Sequence, residues 1–310
     1  MGRIVITGAS GQYGRAVTDR LVAAGHAADL ILITRTPSKL ADRVAQGCEV
    51  RWGDFDEPAT LAAAVAGAER MLLISGTRVG ARVVQHKAAI DAAAAAGVRH
   101  LVYTSFVGID DEANPAEVRH DHIETERLIR ASGLRFTMLR DAHYADAMIV
   151  MAGPGMMAAG TWASNAGEGR EAMVWRDDCA ACAAAVLGGE GHEDTIYNVT
   201  GPDLQSFGEV AALIGEITGC KLDYVGITDA EQYAIFDAMG IPRRPVDDQS
   251  VAGIPWNSDD MVTFGAAIRE GFLAVCSNDV ERLTGRPARS VRSMIEANAA
   301  MLRAAAQQEA

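Results

Sequence analysis

The chain has 310 residues, of which 49% are hydrophobic, 22% charged and 5% aromatic, and it carries a net charge of −13 at neutral pH. A half-apolar chain of this length can offset its conformational entropy, which excludes a disordered protein and points to one large domain with an appended lobe or two intimate domains. The acidic balance, without any Lys/Arg-rich run, argues against a nucleic-acid or anionic-membrane partner, and no apolar stretch is long enough to span a bilayer.

In chain order, the first segment, Met1 to Ser10, reads as a strand running into glycines rather than a signal peptide, and Gly2 is not followed by a myristoylation pattern. A cytoplasmic location is therefore the expectation. Short apolar runs follow at 3–7, 29–34, 48–52, 70–75, 99–104 and 134–139, separated by helical patterns at 12–24, 37–46, 57–66, 79–96 and 117–132. Runs apolar on both faces, alternating with helices, predict a buried parallel sheet covered on each side. Gly25, Gly47, Gly67, Gly97 and Gly133 mark helix ends. The fold class is α/β, a Rossmann-type doubly wound parallel sheet.

Beyond Arg140 the rhythm loosens. A helix is predicted over 141–158, then a Gly-rich segment at 160–170, a helix at 177–187 and a strand at 195–200. A helix at 206–218 and a strand at 221–226 follow, with helices alone from 228 onward. The stretch 240–258 lacks periodicity and reads as a long loop or lid. The five cysteines are odd in number and scattered, which is not a disulfide framework. Cys179 and Cys182 lie inside an alanine-rich helical run and read as small buried residues. No metal site is expected, because no further ligands pair with them.

The sharpest motif is Gly8-x-x-Gly11-x-x-Gly14, placed between the first strand and the first helix. The first glycine suits a tight turn, the second a close approach of backbone to pyrophosphate, and the third close helix–sheet packing. Ser10, Gln12 and Tyr13 within it join the predicted cofactor set. The second strand ends Thr34-Arg35-Thr36, with Lys39 one turn on, and has no acid for the ribose hydroxyls. A guanidinium and an ammonium there fit a 2′-phosphate, so NADP(H) is the expected cofactor. Further strand ends place Asp54 near the adenine, Ser75 and Gly76 near the nicotinamide-side ribose, and Thr104 nearest the nicotinamide. Phe55 and Tyr103 are expected to be structural.

The segments VITGASGQYG, WGDFD, LLISG, GVRHLVYTS, HIETERLIRASGLRFTMLR and YNVTG together resemble the NmrA-like branch of the atypical short-chain dehydrogenase/reductases. Within that branch the pattern is most similar to bacterial NADPH:quinone oxidoreductase and triphenylmethane reductase. The resemblance spans nearly the whole chain. It implies an NADP-binding domain over 1–150, joined by the strand near 195–200, and an interleaved, smaller, mostly helical substrate lobe over 151–310. The Tyr-x-x-x-Lys pair of most short-chain reductases is absent. The corresponding helix reads His120-Asp121-His122-Ile123-Glu124, and alignment with related reductases sets His122 where a lysine stands. An imidazole that titrates near neutrality there would be a proton donor, and the alternative is a histidine that shapes the pocket.

A quinone lessens the need for such an acid, because its reduced form is a stabilised phenolate. The substrate set is read as Phe106, Asp141, His143 and Tyr144, with Asp141 equally readable as a helix cap. A methionine-rich face from Met148 to Met157 reads as core or as an adaptable pocket wall. Arg176-Asp177-Asp178 reads as structural. The leading function is an NADPH-dependent reductase of a quinone-like or conjugated aromatic acceptor. The alternatives are an NADP-binding regulatory protein without catalysis and a reductase of aryl ketones or benzylic ethers using His122 as acid. The helix faces at 79–96 and 117–132 are candidate homodimer interfaces.

Overall fold

The six apolar runs of the first half pair into one all-parallel sheet in the computed structural model, which describes residues 2–244 and 257–307. In chain order its first half comprises β1 (Ile4–Ile6), α1 (Gln12–Ala23), β2 (Leu30–Thr34), α2 (Ala41–Ala45), β3 (Glu49–Trp52) and α3 (Leu61–Val65). Then come β4 (Arg70–Leu73), α4 (Arg82–Ala95), β5 (His100–Phe106), α5 (Glu117–Ala131) and β6 (Arg135–Asp141). The second half holds α6 (Gly153–Ala159), β7 (Thr161–Ser164), β8 (Arg170–Glu171), α7 (Arg176–Gly188), β9 (Thr195–Val199), β10 (Gln205–Ser206) and α8 (Phe207–Thr218). It ends with β11 (Asp223–Gly226), α9 (Asp229–Ala238), α10 (Ser258–Arg269), α11 (Asp279–Thr284) and α12 (Val291–Ala306).

The sheet order is β3-β2-β1-β4-β5-β6-β9. Strand order reverses between β1 and β4, which opens a crevice at the carboxyl ends of those strands. The central strands are fully buried, whereas β3 forms an edge with Glu49 and Trp52 exposed. One face of the sheet packs against α1 and α7, where Tyr13, Val17 and Leu21 meet Cys179, Cys182, Ala183 and Val186. The other packs against α3, α4 and α5. Alanine lets α1 and α7 approach closely. A separate core in the second half gathers Trp162, Phe207, Ile214, Ile268, Met294 and Leu302.

Three departures from the sequence expectation are informative. The helix predicted from 141 begins later, because Asp141 is still a strand residue paired with Phe106 and Val199. The amides of Ala142 and Ala145 then donate to Val199 and Val174, so a π-helical turn over Ala147–Ala152 leads into α6 instead. The Gly-rich segment 160–170 contains β7, whose parallel partner is the distant β11, with Trp162 stacked on Phe207 at 4.6 Å. The two-residue strands β8 and β10 also pair across a long sequence separation. The loop expected at 240–258 lies largely outside the described residues; at its ends, the Ser258 amide meets the Pro242 carbonyl at 2.9 Å. Among the described residues no helix is long and apolar enough to cross a membrane, and no cluster of metal-ligating side chains forms.

Candidate cofactor and acceptor site

The glycine turn caps the crevice as its spacing requires. Gly8 has φ +59°, a conformation that disfavours side chains. A Cβ at Gly14 would lie 2.6 Å from the Gly8 carbonyl oxygen and 2.7 Å from Ala9 Cα, so only glycine lets α1 begin this close to β1. No side chain caps the N-terminus of α1, which leaves its first amides and the positive end of the helix dipole to an anion. Ser10 Oγ meets Thr34 Oγ1 at 2.8 Å, which ties the turn to the end of β2. Gln12 is exposed, and its side-chain oxygen accepts from Arg176 on α7.

Tyr13 departs from the cofactor set. Its ring is buried, and its hydroxyl donates to the Cys179 carbonyl at 3.1 Å, so the side chain is used in packing α1 on α7. Burial, reinforced by Asp141, pushes its pKa well up.

Arg35 and Lys39 are both exposed beyond the end of β2, and Arg15 on α1 donates to the Lys39 carbonyl. This local run of cations stands out against the acidic whole and fits a phosphate. Asp56 opposite is held below the usual carboxylate range by Gln85, then by the charges of Arg78 and Arg35. Asp54 uses Oδ1 to accept the Asp56 amide at 3.0 Å, and its own amide donates to Thr60, so the carboxylate shapes the loop after β3.

At the ends of β4 and β5, the Ser75 amide donates to Thr104 Oγ1 at 2.8 Å. The Gly76 amide donates to His86 Nε2 at 3.2 Å, and the Gly76 carbonyl accepts from Arg82 Nε at 2.6 Å. His86 is fully buried, and burial followed by Arg82 drives its pKa down to about 3. It is therefore neutral. Its Nδ1–H donates to Thr125 Oγ1 at 2.9 Å, and that hydroxyl donates to the Asp121 carbonyl. Neither Arg82 nor His86 stands out in the sequence, where each sits in an ordinary helical pattern.

His122 differs from the expectation of an imidazole titrating near neutrality. It is buried, and desolvation, then Arg82 and His86, lowers its pKa well below that of a free histidine. Arginine only donates, so Nε2, 3.4 Å from Arg82 Nη1, is the acceptor. The proton sits on Nδ1, 2.8 Å from the Tyr103 hydroxyl. Both ring nitrogens are engaged, and the ring lies 5.9 Å from that of Phe106.

The end of β6 divides into a buried half and an open half. Asp141, expected to touch substrate, is buried instead; its Oδ2 accepts the Tyr144 hydroxyl at 2.9 Å. Its Oδ1 has no hydrogen-bond partner among the described residues, and burial raises its pKa to about 7. Tyr144 thus has its hydroxyl committed to Asp141, and the Arg176 guanidinium lies 5.0 Å over its ring. His143 remains half-buried, with Nδ1 2.8 Å from Glu171 Oε1 and its ring 4.8 Å from Phe264. Phe264 in turn lies 5.5 Å from Phe106. Phe106, His122, His143 and Phe264 therefore form one continuous aromatic wall beyond β5 and β6. Of the methionine face, Met157 is core while Met151 is exposed.

Two groups nearby are structural. Arg140 joins Glu126 and Asp110, and Glu126 also accepts from Ser105, which locks β5, α5 and β6 together. Asp178, fully buried, accepts from Arg286 at 2.7 Å and from the Arg289 side chain and amide.

The family described as NAD(P)H-binding matches residues 8–189. Quinone oxidoreductase 2 of Escherichia coli (strain K12) is 36% identical over 239 residues, 77% of this chain and 82% of that protein. The crystal structure of the NADPH-dependent quinone oxidoreductase from Escherichia coli complexed with NADPH superposes with a TM-score of 0.86 at 31% identity, covering 95% of this chain and 99% of that one. Triphenylmethane reductase of Citrobacter sp. gives a TM-score of 0.85 at 30% identity, over 96% of this chain and all of that one. The chain belongs to the NAD(P)H-binding family, as the likeness of its motifs to NmrA-like reductases implies.

Proposed function

We propose that the protein is an NADPH-dependent reductase that delivers a hydride to a quinone-like or conjugated aromatic acceptor. The observation that carries this reading is the pairing of a dinucleotide cradle with an aromatic wall of Phe106, His122, His143 and Phe264 suited to a flat acceptor. His122 is neutral and committed at both nitrogens, so it offers no ready proton. An acceptor whose reduced form is a stabilised phenolate needs none from the enzyme. NADPH, when bound, supplies the hydride from its nicotinamide ring.

In this reading the turn from Gly8 to Gly14, with Ser10 and Gln12, takes the pyrophosphate at the N-terminus of α1. Arg35 and Lys39 take the 2′-phosphate, Asp54 faces the adenine side, and Ser75, Gly76 and Thr104 face the nicotinamide side. Phe106 and His143 contact the acceptor, and Asp141 holds Tyr144 in place behind them. His122 keeps the Phe106 wall and the Arg82–Gly76 loop in register. Gains come from proximity and orientation of a flat acceptor against the cofactor. The likeness to quinone and dye reductases supports the same class of acceptor.

The test is initial-rate NADPH oxidation at 340 nm with a neutral naphthoquinone and with an aryl ketone. Turnover of the quinone and not of the ketone is expected. No turnover of either, with micromolar NADP binding intact, would sink the reading and leave a dinucleotide-binding regulator.

A further inference from the structure

A buried cation borders the crevice without a carboxylate to balance it. Arg82 opens α4, is 9% exposed and forms no ion pair among the described residues. Both of its protein contacts are neutral: Nε donates to the Gly76 carbonyl at 2.6 Å, and Nη1 lies 3.4 Å from His122 Nε2. Nη2 has no hydrogen-bond partner among the described residues, and unlike Arg119 Nε it is not sealed from solvent. The guanidinium is thus held between the end of β4 and α5, beside the His122 ring, which lies 5.9 Å from that of the half-buried Phe106.

A buried charge without a counter-charge is costly, so this one needs a reason. The titratable groups around it do not supply one. His86 and His122 are both neutral, through burial first and the Arg82 charge next. Burial keeps the Tyr103 hydroxyl protonated. Asp121 and Asp260 feel the Arg82 charge, but burial is the larger effect and raises both above their ordinary value. The Asp121 carboxylate is committed to the Gly80 amide at 2.7 Å. A guanidinium keeps its proton at any working pH, so it acts as a fixed charge and not as an acid. Where negative charge develops during a reaction, such a fixed charge favours the transition state over a neutral ground state.

Resting on the reductase reading above, we propose that Arg82 is a catalytic residue, which binds through Nη1 and Nη2 the oxygen that turns negative as the acceptor takes up hydride. The bond broken is the nicotinamide C–H, and the bond formed joins that hydrogen to the acceptor. The electron pair displaced within the acceptor collects on a carbonyl oxygen facing Arg82, NADP leaves oxidised, and water later protonates the oxygen. Arg82 supplies by charge what His122, neutral and engaged at both nitrogens, does not supply by proton transfer.

The anion can be imitated at equilibrium by 4-nitrophenol, whose ionised form is yellow. The full chain loaded with NADP is saturated with this probe, and its ionisation is followed by absorbance across pH. The wild type is expected to favour the anion by about tenfold relative to free solution. Arg82→Lys, which keeps the charge, should retain most of that preference, and Arg82→Gln should reduce it to about twofold or less. A residue that only braced Gly76 and His122 would alter affinity and leave the probe's ionisation in place. The preference should persist in wild type loaded with NADPH, whose nicotinamide is uncharged, which keeps the test decisive if Arg82→Gln does not fold. Absent binding, an unshifted ionisation or a preference lost with NADPH in the wild type overturns the proposal, as does a preference that survives in Arg82→Gln. The probe accepts no hydride, so a failure of the reductase reading appears separately, as absent NADPH oxidation with a quinone.

Discussion

At the scale of single residues, the protonation of two buried side chains is decided by their surroundings. His122 is held neutral by burial and by the Arg82 charge beside it. The pH profile of quinone reduction should therefore show no inflection from His122 between about pH 5 and 8. His122→Asn should change the level of kcat/KM without moving the profile's shape, read by steady-state rates across that range. Asp141 is the opposite case, a carboxyl whose folded pKa of about 7 lies above the ordinary 3.8. The folded chain keeps that proton when the unfolded chain has lost it, so stability falls as pH climbs from about 4 to about 7 and is flat above. Asn mimics the protonated form, and Asp141→Asn should raise Tm at pH 8 with little effect at pH 4. Arg35→Ala should lower kcat/KM for NADPH by about 30-fold, the order of one lost charged hydrogen bond to phosphate. Its effect on NADH should be small, since that cofactor has no 2′-phosphate, and the ratio of the two rates measures it.

At the scale of elements, the junction between β1 and α1 sets how close a ligand can come. A methyl at Gly14 would press on backbone atoms that cannot turn aside. Gly14→Ala should push α1 away from β1, destabilise the fold by about 1–3 kcal/mol and weaken NADP binding. Urea denaturation and a cofactor titration check the two effects, and a neutral outcome in both would contradict this account of the turn. α5 serves two partners at once: His122 and Thr125 face the crevice side, while Glu126 anchors Arg140 and Ser105. α10 then lies across α5, with the Glu117 amide bonded to Thr263 at 3.1 Å, and this brings Phe264 to Phe106.

At the scale of the whole molecule, the sheet's last strand, β9, comes from beyond residue 190, and α7 crosses back over β4, β5 and β6. The second half of the chain is thereby woven into the first. Asp178 is the latch of this arrangement, since it binds both Arg286 and Arg289 ahead of α12. Asp178→Ala should cost about 2 kcal/mol, moderated because the freed arginines can reach water. Hydrogen exchange should show the loss concentrated in α11 and α12.

The central sheet and the glycine turn are legible in the local sequence. Buried parallel strands must be apolar on both faces, and a turn that approaches pyrophosphate must be glycine, so both requirements are written locally and read directly from 3–7 through 134–139 and from Gly8, Gly11 and Gly14. Tertiary structure alone decided the rest. β7, β8 and β10 are too short to show a period, and each exists only because a distant segment pairs with it. α4 with Arg82 and His86, β8 with Glu171 and α10 with Phe264 are separate stretches, and no spacing along the chain announces that they will line one site. The state of His122 and of Asp141 likewise depended on burial, a property of the packed molecule, because desolvation and neighbouring charge are set by what surrounds a group in space and not by its neighbours in sequence.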